Sequence, residues 1–161
     1  MHKRIEVSYG VITVSTSRYI KYCKNEEIKD ESGDFLKNEL NAKFKIIIPD
    51  NKDMIRGAID FLIDNFDVNC IVLTGGTGLE RGDVTIETLK EIFEKEIEGF
   101  KILFQTLSYE EVGYRAMLSR ATAGIYRETL IYSLPGSLNA CKLGVKIIKE
   151  ESPHILGHVI K

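Results

Sequence analysis

The feature that most constrains this chain is a repeated change of hydrophobic period. Short β-branched runs are separated by longer stretches patterned for helices. Gly10-Val-Ile-Thr-Val14, Lys45-Ile-Ile-Ile-Pro49 and Cys70-Ile-Val-Leu-Thr74 are continuous apolar runs, the kind covered on both faces of a parallel sheet. Between the first two, Ser32 is placed to cap a helix in which Phe35, Leu36 and Leu40 share one face. Between the second and third, Ile55, Ile59, Leu62, Ile63 and Phe66 recur at helical spacing. Strands joined by such crossovers run parallel. The alternation predicts an α/β fold, a three-layer αβα sandwich around a mostly parallel, mixed sheet.

The second half continues the alternation with one change. Thr85, Leu89 and Phe93 mark a helix with Asp83 or Thr85 as its N-cap and Glu87 in its first turn. Residues 100–106 are apolar and fit either a helix or a strand. Ser108 and Glu111 form a capping box that opens a helix toward Arg120. Residues 124–134 read as two short strands around a charged turn, antiparallel because no room is left for a crossover. Ser137 caps a last helix through Ile148, and residues from 152 onward read as an irregular tail. A length of 161 residues suits one domain, residues 1–161, with a core that needs no disulfide or metal.

Composition narrows the function. Twenty-two Lys and Arg against 24 Asp and Glu leave a net charge of −2, with no long like-charge run, so a nucleic-acid partner is not expected. No apolar stretch approaches a membrane span, and the N-terminus lacks a signal-peptide apolar region. Cys23, Cys70 and Cys141 are widely spaced and odd in number, as expected of reduced, buried thiols in a cytoplasmic protein. His154 and His158 would share a face on a helix and could hold a metal there. Pro153 and Gly157 argue against a helix, so metal ligation is not expected at that pair.

Ligands of open α/β sheets bind beyond the carboxyl ends of the strands, and three such ends here carry unusual residues. The third strand runs into Thr74-Gly75-Gly76-Thr77-Gly78, followed by Leu79-Glu80-Arg81-Gly82-Asp83. Its backbone amides and the helix that follows can cradle a phosphate, although such a loop also serves as a plain turn. The last strand ends in Leu134-Pro135-Gly136-Ser137, a second candidate cradle or simply a stop and a cap. The second strand ends in Pro49-Asp50, a carboxylate at the same edge or a helix cap. Asp50 and Asp83 together can hold magnesium, which needs few protein ligands when phosphates supply the rest. Neither a P-loop nor a Gly-x-Ser-x-Gly elbow is present, and Gly76-x-Gly78-x-x-x-Gly82 is one residue too long for a dinucleotide fingerprint. A phosphate-bearing ligand is the reading these ends share.

Taken in order, Thr74-Gly-Gly-Thr-Gly78, Gly82-Asp83-x-Thr85-x-Glu87, Leu107-Ser-Tyr-Glu-Glu-Val-Gly113, Ser119-Arg-Ala121, Gly124 and Leu134-Pro-Gly-Ser137 resemble the MoaB/MogA family of molybdenum cofactor biosynthesis. Val14-Ser15, Asp30-x-Ser32-Gly33 and Ile48-Pro49-Asp50 extend the resemblance across nearly the whole chain. It implies a molybdopterin-binding αβα fold and, in catalytic members, transfer of AMP from Mg-ATP to the molybdopterin phosphate ahead of molybdate insertion. It assigns the important aspartates to Asp50 and Asp83, with magnesium between them and the phosphates. The pterin and nucleotide cradle maps to Gly75, Gly76, Thr77, Gly78 and Thr85. Ser108, Glu110, Pro135, Gly136 and Ser137 complete the implied binding residues. A homo-oligomer, trimer or hexamer, is implied too; Ile102, Leu103, Phe104, Tyr109 and Tyr114 offer apolar surface for it or pack in the core.

Two positions depart from the catalytic pattern of the family. Thr16 stands where many members have Asp, and Arg81-Gly82-Asp83 replaces the Arg-Arg-Asp or Pro-Arg-Asp usual in MogA-type members. These differences place the chain on the MoaB side, where the alternative to an adenylyltransferase is a non-catalytic molybdopterin carrier or scaffold. A third possibility is a mononucleotide-binding regulator, in which Thr77, Ser108 and Glu110 would be ordinary capping or solvent residues.

Overall fold

All three expected apolar runs are strands of one sheet. The computed structural model describes residues 3–160. Strands β1 (Tyr9–Val14), β2 (Lys45–Ile48), β3 (Cys70–Thr74), β4 (Lys95–Glu96), β5 (Thr122–Tyr126) and β6 (Thr129–Leu134) form one sheet in the order β2-β1-β3-β6-β5-β4. The β1–β2, β1–β3 and β3–β6 pairs are parallel, and β4–β5 and β5–β6 are antiparallel. The charged turn that joins β5 to β6 places Arg127 and Glu128 at positive φ, the conformation of a two-residue hairpin turn.

Among the described residues, seven helical segments surround the sheet: α1 (Thr16–Cys23), α2 (Glu31–Glu39), α3 (Lys52–Phe66), α4 (Thr85–Ile92), α5 (Glu98–Val112), a 3₁₀ segment (Gly113–Leu118) and α6 (Leu138–Val159). The pleat sends alternate strand residues into two cores. Val11, Val72 and Tyr132 pack with Leu36 of α2, Phe100 and Phe104 of α5 and Ile148 of α6. Ile12, Leu73 and Ile131 pack on the other face with Ile55, Ile59 and Leu62 of α3 and Leu89 of α4. These are the three layers the hydrophobic pattern predicts. Burial of each such aliphatic side chain stabilises by about 2 kcal/mol. The α3 stripe ends earlier than expected, because Phe66 is 42% exposed and packs at 4.7 Å against Phe44 with the rings tilted by 46°.

Several local expectations change. The N-cap of α2 is Asp30, which accepts from the Gly33 amide, while the Ser32 hydroxyl crosses to the Gly136 carbonyl at 2.8 Å. Residues 100–106 are helical, and Ser108 lies inside α5 rather than opening a new helix, so its expected capping box is absent. Phe104 packs in the core while Ile102, Leu103, Tyr109 and Tyr114 stay exposed. Cys70 and Cys141 are buried free thiols, but Cys23 is exposed, because α1 contributes no buried residue.

The largest difference is the tail. Residues from 152 onward continue α6 through Val159 despite Pro153. Proline removes one helical hydrogen bond, but Leu156 beyond it is fully buried, and the Ile5 amide donates to the Pro153 carbonyl at 3.0 Å. Packing of that last segment outweighs the proline's local penalty. Among the described residues, no helix is long and apolar enough to cross a membrane.

Candidate active site

The chain leaves β1 toward β2 on one side and leaves β3 toward β6 on the other. That reversal opens a crevice at the carboxyl ends of β1 and β3. The glycine loop after β3 lies there. Gly75 has φ +101°, its amide donates to the Leu134 carbonyl at 3.0 Å, and a Cβ on it would overlap the Val14 carbonyl oxygen. Gly76 has φ +69°, and a Cβ there would collide with the Thr85 hydroxyl and approach Asp50 Oδ1 at 2.8 Å. Only glycine meets both the backbone and the space requirements at these two positions.

Side chains of the loop itself and of three other parts of the fold brace it. Thr85, fully buried at the start of α4, donates its hydroxyl to the Gly75 carbonyl at 3.0 Å and its amide to the Gly76 carbonyl at 3.0 Å. This occupies the residue expected as a cap; α4 begins from Val84 with no side-chain cap at all. Asp83 closes the far end of the loop, its Oδ2 accepting from the Glu80 amide at 3.1 Å. Arg120, just before β5, donates to the Gly78 carbonyl at 2.8 Å and pairs with Glu87 of α4 at 2.6 Å. Burial pushes the Glu87 carboxyl up, but the hydrogen bond and charge of Arg120 outweigh it, so the group titrates below the ordinary glutamate range.

Asp50 reaches the loop from the end of β2. Its Oδ2 accepts from the Thr16 hydroxyl at 2.8 Å and the Thr16 amide at 3.2 Å, and its own amide donates back to the Thr16 hydroxyl at 2.9 Å. This reciprocal clasp fixes the carboxylate and leaves Oδ1 buried without a partner. Glu87 Oε1 is likewise buried and unpaired. Such oxygens are costly unless something outside the chain satisfies them.

The second loop abuts the first. A Cβ on Gly136 would lie 3.3 Å from Gly75 Cα, and the Thr74 hydroxyl donates to the Pro135 carbonyl at 3.0 Å. Ser137 caps α6 as expected, accepting from the Ala140 amide at 3.1 Å. Beside it opens a cleft of about 410 Å³ whose lining includes Ser108, Arg115, Ser119, Pro135, Ser137 and Asn139. The Ser108 hydroxyl donates to Ser119 at 3.1 Å. Glu110 is exposed and outside that lining, whereas Glu111 is part of it. The structure therefore brings Asp50, Asp83, Thr85 and residues 75–78 to one loop, and Ser108, Pro135 and Ser137 to the adjoining cleft. Arg115, Asn139 and the Arg120 brace were not anticipated as site residues. For Arg120, a lone cation directly before a buried strand is the available signal.

A mixed sheet between two helical layers, with a braced glycine loop and a hydroxyl-bearing cleft at its switch point, defines an open α/β protein whose candidate ligand site lies at the carboxyl edge of the sheet. The chain belongs to the MoaB/MogA molybdopterin-binding family: residues 10–154 match the family model described as probable molybdopterin binding domain. It is 62% identical to a probable molybdopterin adenylyltransferase of Methanocaldococcus jannaschii, over 99% of this chain and 98% of that protein. It is 43% identical to a molybdopterin adenylyltransferase of Pyrococcus furiosus, over 93% of this chain and 89% of that one. Its fold superposes on the tungsten cofactor synthesizing protein MoaB from Pyrococcus furiosus with a TM-score of 0.86 at 42% identity, covering 96% of this chain and 98% of that chain.

Proposed function

We propose that this protein is a molybdopterin adenylyltransferase, binding molybdopterin and Mg-ATP and transferring AMP to the molybdopterin phosphate. An oxygen of that phosphate attacks the α-phosphorus of ATP. The bond from this phosphorus to the bridging oxygen of the β-phosphate breaks, and pyrophosphate leaves with the electron pair. A phosphate dianion is already a nucleophile, so no general base is needed; alignment and charge neutralisation carry the catalysis. Family membership and the activity named for the two archaeal relatives support this reading.

The amides of Gly76, Thr77 and Gly78 orient the nucleotide phosphates, with Gly75 setting the turn through its bond to Leu134 and Thr85 and Arg120 holding the loop in shape. Ser108, Pro135, Gly136 and Ser137, joined by Ser119 and Arg115, seat the pterin and its phosphate. Glu110 takes no part. The observation that carries the site assignment is Asp50 Oδ1, a buried, unpartnered carboxylate oxygen against the glycine loop. It fits magnesium, a hard cation satisfied by one or two carboxylates plus phosphate oxygens. Magnesium, when bound, supplies charge neutralisation between nucleophile and nucleotide, with Asp50 and Asp83 as its protein ligands. Thr16 replaces the family's common Asp without emptying the position, because it aims Asp50 instead.

The second copy that completes a homo-oligomer, trimer or hexamer, docks on the face of α5 and the 3₁₀ segment. Ile102, Leu103, Tyr114 and Met117 there are 60%, 54%, 82% and 78% exposed. A single-turnover assay with molybdopterin and Mg-ATP, on protein whose mass is measured by light scattering, tests the proposal. Adenylylated pterin and pyrophosphate form with the parent protein and fall at least about a hundredfold in Asp50→Asn and Asp83→Asn, each losing less than about 1 kcal/mol of stability. Tight pterin binding without turnover in the parent protein overturns the catalytic reading and leaves a carrier.

A further inference from the structure

We propose that the C-terminal half of α6 carries a two-histidine site for a borderline divalent transition-metal ion of the Zn²⁺, Ni²⁺ or Cu²⁺ class. The helix does not stop at Pro153 but runs on to Val159, so His154 and His158 stand one turn apart on one face. Their Nε2 atoms lie 3.3 Å apart, with ring centroids at 4.9 Å and the rings inclined by 76°. A tetrahedral ion with metal–nitrogen bonds of about 2.05 Å holds two ligand nitrogens about 3.3 Å apart. The pair already has that bite.

The surroundings agree. His158 lies in the last turn, where the negative end of the helix dipole favours a cation. Both rings are exposed, so an ion reaches them from solvent. Among the described residues no third His, Cys, Asp or Glu converges, so water completes the coordination and the ion stays exchangeable. Imidazole nitrogens select this class over magnesium or calcium, which take oxygen ligands. The site is also remote from the phosphate-binding edge: seventeen residues of helix separate His154 from Ser137, about 25 Å at the helical rise. The ion acts as a clip, tying the turn after Pro153 to the final turn that buries Leu156.

The alternative account of the 3.3 Å contact is a simple hydrogen bond between the rings, which confers no chelate affinity. Titration calorimetry separates the two. Full-length protein without an affinity tag, in a Cys23→Ser background and with magnesium in excess, is titrated with Zn²⁺ alone. One ion binds per chain, and affinity falls at least tenfold in His154→Gln and in His158→Gln, while far-UV circular dichroism of these exposed-site variants matches the parent. Single variants that keep the parental affinity, or a parent that binds no better than the double variant, overturn the proposal.

Discussion

The two loops at the sheet's carboxyl edge are both short and glycine-bearing, yet they differ in backbone strain and in how much local sequence supports them. The turn from 135 to 137 carries its own local signals, Pro135 ending β6 and Ser137 capping α6 with its own hydroxyl, and its carbonyls are also tied from afar, Pro135 by the Thr74 hydroxyl and Gly136 by the Ser32 hydroxyl. The loop from 75 to 83 places two glycines at positive φ and is held by Thr85 just beyond it and by residues far away in sequence, namely Leu134, Arg120 and, packed against Gly76, Asp50. A loop braced from several elements is rigid only while every brace is present, which suits a cradle that must present amides to phosphates without reorganising.

The largest expected effect comes from adding one methyl group to each loop. Gly75→Ala places a Cβ against the Val14 carbonyl at a φ of +101°, where neither backbone nor space allows it. It should cost more than about 3 kcal/mol, measured as a lowered urea midpoint, and abolish activity. Gly136→Ala meets only Gly75 Cα at 3.3 Å and should cost about 1 kcal/mol. Equal losses at the two glycines would erase the distinction between the loops.

The same division explains what was legible in the sequence. Strands β1, β2 and β3, the stripe of α3, the β5–β6 hairpin and the Ser137 cap all follow from patterns within a few residues of each other. Asp50 and the glycine loop were legible as strand ends of an α/β sheet. The Thr16 clasp, the Ser32 bond to Gly136 and the Arg120 brace join residues 34, 104 and 42 positions apart, and no local pattern encodes such pairs. Pro153 misled for the complementary reason: its local penalty is real, but Leu156 is buried by contacts with distant elements. The capping-box spacing at Ser108 failed likewise, since the turn belongs to a helix already begun at Glu98.

Removing one distant brace is the intermediate case. Arg120→Gln loses the ion pair with Glu87 and weakens the bond to Gly78, so ATP binding and turnover should fall at least tenfold while stability falls by only about 1 kcal/mol. The pH dependence sharpens the test. Glu87 titrates below its unfolded value of about 4.3, so its contribution is full above that pH and is lost as the pH falls through the folded value. Glu87→Gln should therefore flatten part of the acid limb of stability below about pH 4. Because Glu87 is 44% exposed, the change is small, and an unaltered acid limb would assign the brace to the Gly78 bond alone.

The smallest stability effect is expected of Ser137→Asp in the second turn, which also separates folding from binding. Ser137→Ala removes the side-chain cap of α6 and should cost about 1 kcal/mol. Ser137→Asp keeps an oxygen acceptor for the Ala140 amide and adds a negative charge at a helix N-terminus, so stability should stay at the parental level. That same charge faces the cleft assigned to the molybdopterin phosphate and repels it. In the Asp variant KM for the pterin should rise at least tenfold, with KM for ATP and the urea midpoint unchanged. If KM for the pterin holds instead, Ser137 is a helix cap only, and the phosphate seat lies with Arg115 and Ser119, which line the same cleft.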